Sequence, residues 1–290
     1  MCSSDLLTDG MYLSHGLTEM LALRFLSEVD FTVLLRGHGG ELAKASLAWP
    51  LHTDGHVYGL KTTEELIPYL LQRVNYITPG LDLSSVFEAE WARRMRDSAR
   101  ESLTEALAGV ALSPADQCSY LYLMEQHRRY TTASLELFRQ AVEIRLPFVD
   151  LPFLRVLLRA PSRWRDDTRL HRALTTAGDP RLLRVRNSNT GISASASPLA
   201  ERGFDKINTL LKRLNVHGFR HYHNFNQWMQ QQLMASVESV LLSRESLDRG
   251  IVKEAGVRQL IDNTTSGRED RSHLLQTLLI LELWQRENLA

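Results

Sequence analysis

The sequence predicts a mainly helical protein with an α/β remnant near its N-terminus. Three observations lead there. From about residue 60 onward, apolar residues recur at helical spacing. The run Phe31-Thr32-Val33-Leu34-Leu35 is short, apolar and partly β-branched, which reads as a buried strand. That run ends in Arg36-Gly37-His38-Gly39-Gly40-Glu41. A buried strand feeding a glycine turn and then a helix is how open α/β sheets build ligand sites at their carboxyl ends. One parallel strand makes no stable sheet. Either other short strands escape the pattern, or part of the sheet comes from another chain. The division falls near residue 50, with the α/β part in residues 1–50 and the helical part in residues 51–290.

The elements follow in order. Leu13, Leu17, Leu21 and Phe25 fall four apart, on one face of a helix. The strand and its turn come next. Phe87, Trp91, Met95, Ala99, Leu103 and Leu107 form a long apolar stripe, with Ser84 and Ser85 as candidate caps. Ser113-Pro114 has the form of a helix start with proline at the first position. Leu151 to Arg159 is a short apolar helix closed by Pro161. Residues 187–200 are rich in Ser, Asn and Ala and read as a loop. Helical spacing resumes over 199–214 and 228–242, and Leu274, Leu278 and Leu281 mark a last helix capped by Asp270.

Composition narrows the function. Hydrophobic residues make up 43% of 290, enough for a sizeable core. Lys+Arg 34 balance Asp+Glu 34, which gives no support to a nucleic-acid partner, because phosphate backbones call for clustered positive charge. The only cysteines are Cys2 and Cys118, with no Cys-x-x-Cys pair, so neither a disulfide framework nor a zinc site is expected. The first 13 residues hold Asp5 and Asp9 and no basic group, unlike a secretory signal. No uncharged apolar stretch approaches the roughly 20 residues that span a bilayer. A soluble, cytoplasmic protein without membrane contact is the expectation. His217, His221 and His223 read as a polar surface stretch, since two ligands at helical spacing do not make a metal site. Arg163, Arg165, Arg169 and Arg172, interleaved with Asp166 and Asp167, read as a solvated face.

Three segments carry a resemblance. Val33 to Leu42 reads VLLRGHGGEL, Val142 to Asp150 reads VEIRLPFVD, and the tail reads SGREDRS from Ser266 and LLILELW from Leu278. In this order, over about residues 12–288, they resemble the C-terminal part of the synthetase domain of glutamine-dependent asparagine synthetases. That family shows a strand followed by Ser-Gly-x-Gly-(Gly/Ala)-Asp-Glu-Leu, then Glu-Val-Arg-x-Pro-Phe-Leu-Asp, then Gly-Arg-x-Asp-x-Ser and Leu-x-Leu-Glu-x-Trp. The resemblance implies the C-terminal portion of an adenine-nucleotide alpha-hydrolase-like domain (PP-loop ATP pyrophosphatase), with residues 1–50 ending a nucleotide-binding sheet. It implies ATP and Mg2+, adenylation of a small-molecule carboxylate (aspartate by default) and attack by ammonia. Relatives also close β-lactam rings and lasso peptides. On matching positions, Gly37, His38, Gly39 and Gly40 would face nucleotide phosphate, Glu41 would face the metal, and Arg145 and Arg186 would act nearer the substrate. The turn's chemistry suits this, because glycines let amides approach an anion and a nearby carboxylate suits magnesium. The other reading of the turn is a bare strand-to-helix connection. For Glu143, Arg145 and Asp150 it is a structural ion pair or helix cap that fixes the turn at Pro147.

The departures are specific. The family's pyrophosphate loop, Ser-Gly-Gly-x-Asp-Ser, occurs nowhere in the chain, and Cys2 lies in Met-Cys-Ser-Ser, not the Cys-Gly start of the glutaminase domain. Glu41 stands alone where the family has Asp-Glu, and Arg36 replaces a serine. Ser134 and Leu135 stand where the family usually has Asp-Arg. Arg184-Val185-Arg186 stands where the family has Arg-x-Lys, and a guanidinium does not substitute freely for a compact ammonium. Arg172 matches a frequent family arginine. Two explanations fit. An upstream chain supplies the pyrophosphate loop and the glutaminase, or the chain is a non-catalytic helical partner derived from that fold.

Overall fold

The computed structural model describes residues 24–25, 28, 32–43, 55–74, 77–165, 169–186, 192–193, 195–213 and 229–289. These residues are mainly helical with one small parallel sheet. The candidate helix through Leu13, Leu17 and Leu21 and the histidine stretch at 217–223 lie outside them, as do Cys2 and Phe31. None of the described helices is long and apolar enough to cross a membrane.

The sheet has two strands, β1 (Val33–Leu35) and β2 (Glu143–Arg145), in register Val33↔Glu143, Leu34↔Ile144, Leu35↔Arg145. The sequence pattern does not show β2, whose three residues become a strand by pairing with β1. The expectation that β1 is buried is corrected. Val33 is 38% exposed and Leu35 66%, and only Leu34 turns inward, with Ile144, onto Phe138 and Val142. Strands of α/β sheets are buried by layers on both faces. Among the described residues, the pair packs through its Leu34 and Ile144 face.

Between the strands run α1 (Thr63–Val74), α2 (Leu83–Val86), α3 (Ala89–Leu107), α4 (Pro114–Leu121), a π-helical segment (Tyr122–Thr131) and α5 (Thr132–Phe138). Ser113 caps α4 as its sequence predicts, accepting the Asp116 amide with Pro114 in the first turn. The long stripe forms a helix but not one buried face. Phe87 lies ahead of α3 in a bridge to Val252, Ala92 and Leu107 are buried, and Met95 is exposed. The cap in this region is Asp82, which accepts the Ser84 amide at 3.0 Å, rather than Ser84 or Ser85.

After β2 come α6 (Leu151–Leu157), α7 (Ser162–Arg165), α8 (Arg169–Gly178) and α9 (Pro198–Arg213), whose start shortens the expected loop. The arginine face is corrected too. Arg165 is buried, its guanidinium 3.3 Å from Asp116 and 3.1 Å from the Ser119 hydroxyl. Spacing cannot show this, because Asp116 and Ser119 come from α4. Arg172 donates to the Ala196 carbonyl at 2.8 Å. The C-terminal part holds α10 (Met234–Leu241), α11 (Arg244–Asp248), α12 (Glu254–Thr265) and α13 (Ser272–Asn288). The Asp270 carboxylate accepts the first amide of α13, that of Ser272, at 3.1 Å.

The largest core cluster joins these last helices to the region before α3, through Val86, Phe87, Val237, Val257 and Leu275. A smaller cluster positions the glycine turn. Leu42 and Ala43, just beyond it, pack with Tyr122 and Leu157.

Candidate functional site

The parallel pairing decides which segments meet. Both strands end at the same edge of the sheet, so the turn after β1 lies beside the turn after β2. The amide of Arg36 donates to the Arg145 carbonyl at 3.0 Å and extends the ladder into the turn. Gly39 has a φ of 85°, in the region that favours glycine. A Cβ there would stand 3.3 Å from the Phe148 carbonyl oxygen and 3.3 Å from Val149 Cγ1. A Cβ on Gly40 would stand 3.3 Å from the Phe148 ring. These two glycines therefore let the turn lie flat on Pro147-Phe148-Val149. Gly37 is exposed, with open space around it.

Several amides of the turn already have acceptors. Gly40 donates to the Gly37 carbonyl at 3.0 Å, and Leu42 to the Gly39 carbonyl at 3.1 Å. The Gly39 amide donates to the hydroxyl of Tyr122. That same hydroxyl donates to Glu41 Oε2 at 3.0 Å. Tyr122 is 2% exposed, and burial together with the Glu41 carboxylate drives its hydroxyl well above the ordinary tyrosine range.

Two histidines complete the cluster. His38 and His127 are both buried, their rings edge-on with centroids 6.0 Å apart. His127 lies in the same relation to Tyr122, at 5.8 Å. His38 donates to the Thr131 carbonyl. Burial lowers its pKa to about 4, with further lowering from Arg36 and His127, against the pull of Glu41 and that carbonyl. His127 is shifted down by the same desolvation, opposed by Glu41. Its Nε2 is fully buried with no hydrogen-bond partner. The guanidinium of Arg36 lies 4.4 Å above the Phe138 ring, a cation–π contact.

Arg145 pairs with Glu143 at 2.8 Å, and both side chains are more than half exposed. This is a surface ion pair, not a buried one. Asp150 stands at the first position before α6 without a side-chain capping bond. Arg186 is exposed, in an isolated antiparallel bridge to Ser193 after the 3-10 turn Pro180–Arg184. The fold thus gathers Gly37, His38, Gly39, Gly40, Glu41 and Arg145 at one edge of the sheet, and a separate short bridge places Arg186. Sequence reasoning missed Tyr122 and His127. Glu41 and Tyr122 are 81 residues apart, and no local signal links them.

Among the described residues, no group of three or more His, Cys, Asp or Glu converges to hold a metal. Magnesium usually keeps several waters and takes one or two carboxylates plus phosphate oxygens. Glu41 offers one carboxylate of that kind at the turn, with its Oε2 accepting from the Tyr122 hydroxyl. No family model matches the chain, and neither does any curated protein or solved structure.

Proposed function

We propose that this chain is the C-terminal part of an ATP-dependent, amide-forming ligase of the asparagine synthetase type. Its α/β remnant would belong to an adenine-nucleotide alpha-hydrolase-like domain (PP-loop ATP pyrophosphatase). The observation that carries the reading is the meeting of two distant segments. VLLRGHGGEL and VEIRLPFVD pair as parallel strands, and their turns pack face to face through Gly39, Gly40 and Phe148. In open α/β sheets such a strand edge is where ligands bind.

In this reading the substrate carboxylate, aspartate by default, attacks the α-phosphorus of ATP, and pyrophosphate leaves. Ammonia then displaces AMP from the acyl carbon, forms the amide and loses a proton. Gly37 and the rest of the glycine turn would lie along the phosphates. Arg145 at the end of β2, and Arg186 beyond it, would hold negative charge on substrate or phosphate through charge-assisted hydrogen bonds. Magnesium on Glu41 would neutralise charge on the phosphate oxygens. The pyrophosphate loop and an ammonia-producing glutaminase would come from an upstream chain.

One observation favours a second reading, a helical partner that keeps the fold without the chemistry. Tyr122 holds the Glu41 carboxylate and the Gly39 amide, and Glu143 holds Arg145. Calorimetric titration with magnesium-ATP separates the two. It is run on the chain alone and on the chain mixed with the protein encoded immediately upstream. Binding in either preparation supports the ligase. Binding only in the mixture means that the site is shared between chains. No heat of binding in either sinks the ligase and leaves the helical partner.

A further inference from the structure

The Tyr122 hydroxyl makes two bonds that a ligand oxygen would otherwise make. It accepts from the Gly39 amide and donates to Glu41 Oε2 at 3.0 Å. An amide in a glycine turn is an anion-binding group, and a carboxylate beside it is a magnesium-binding group. A phosphate oxygen on the amide would reach the carboxylate of such a pair through magnesium, and a phosphate-bound water would bridge the two by hydrogen bonds. Here a protein oxygen does so.

The element that carries Tyr122 is not regular. Tyr122 opens a ten-residue π-helical segment set between two α-helical ones. π-helical turns inside α-helices are rare and concentrate at functional sites. The Thr131 and Thr132 hydroxyls donate to the carbonyls of Gln126 and His127, each five residues back, which holds the widened turns open. The same segment leaves His127 Nε2 buried with no hydrogen-bond partner, beside the Tyr122 ring. A buried polar atom without a partner costs free energy, so the packing around it is not the segment's best in hydrogen-bonding terms. Relaxing the π turns toward α geometry would rotate Tyr122 away from the glycine turn. A ligand shifts an element between two arrangements only through different contacts in each.

We infer that Tyr122 is a latch on the glycine turn, an internal occupant that a bound magnesium-phosphate group must displace. The inference rests on the anion-binding reading of that turn. It assigns Tyr122 a regulatory role and makes the π-helical segment the part that moves. In the latched state the Gly39 amide and Glu41 are withheld from ligand, while Gly37 stays open.

The test is Tyr122→Phe, which keeps the ring contacts with His127 and removes the bridging oxygen. Magnesium-ATP affinity is measured by calorimetry for wild type and Y122F, in the preparation in which wild type binds, with thermal unfolding of each. The latch predicts binding about 10-fold tighter in Y122F, the scale of one hydrogen bond to a charged group, together with a lower unfolding temperature. Equal or weaker binding by folded Y122F overturns the latch and leaves the ligase reading standing. A second measurement needs no variant. Hydrogen exchange of wild type over residues 122–131 speeds up on adding magnesium-ATP if the latch opens. Unchanged or slower exchange at saturating ligand overturns it. If wild type binds in no preparation, the anion-binding reading falls, and the latch with it.

Discussion

Mild acid should destabilise this protein through the histidine of the glycine turn. His38 is buried, and its pKa falls from 6.5 to about 4 in the folded state. The folded protein keeps this imidazole neutral while the unfolded chain takes up a proton. The unfolded state therefore binds more protons between the two values, and stability falls as pH falls through that window. Linkage with those two pKa values gives a loss of about 1 kcal/mol at about pH 6 and about 2 kcal/mol at about pH 5, relative to about pH 7.5. The loss levels off below about pH 4, where both states are protonated. His127 is lowered as well and acts in the same sense. The assay is urea unfolding followed by circular dichroism at three pH values between about 7.5 and 5, for wild type and His38→Gln. The pH slope of wild type should be steeper than that of H38Q by the amounts above. Parallel slopes would show that His38 is not held neutral in the fold, and the reasoning from its burial would fail.

Other outcomes follow from packing and charge. Gly256→Ala places a Cβ 2.6 Å from Val86 Cα and closer still to the Ser85 carbonyl, both backbone, so α2 and α12 must separate. A loss of about 3 kcal/mol is expected in denaturant unfolding, the upper end for overpacking, and a neutral effect would refute the close approach. Arg165→Ala removes a buried guanidinium held by Asp116 and Ser119. Asp116 is 40% exposed and regains water, so the expected loss is about 2–3 kcal/mol, less than for a fully buried pair, again read from unfolding midpoints. Arg145→Ala breaks only an exposed ion pair, so stability should change by less than about 0.5 kcal/mol. A fall in magnesium-ATP binding by that stable variant supports a substrate role for Arg145, and unchanged binding removes it from the proposed site.

How much of the site was legible differs residue by residue. The glycine turn stood out because glycines after an apolar run have few other uses, and the structure gives two of them a specific one. Gly39 needs its positive φ, and Gly40 must clear the Phe148 ring. Glu41 and Arg145 were found through the resemblance, and the fold sets both at the same edge of the sheet. Their partners were not both legible. Glu143 is two residues from Arg145 and easily seen, whereas Tyr122 reaches Glu41 from 81 residues away.

The sequence by itself determined the local features. Helix starts such as Ser113-Pro114, the Asp270 cap and the periodic stretches arise from backbone preferences and side chains three or four residues apart, and these act whatever the rest of the chain does. Only the tertiary structure decided the features that need a distant partner. The strand β2 exists because β1 lies beside it, Arg165 is buried because α4 supplies Asp116 and Ser119, and the stripe of α3 is exposed at Met95 because its packed residues, Trp91 and Ala92 at one end and Leu103 and Leu107 at the other, meet different core clusters. The polar cluster of His38, Glu41, Tyr122 and His127 is of the same kind. Its energies come from burial and from contacts between segments far apart in the chain, which spacing along the chain does not encode.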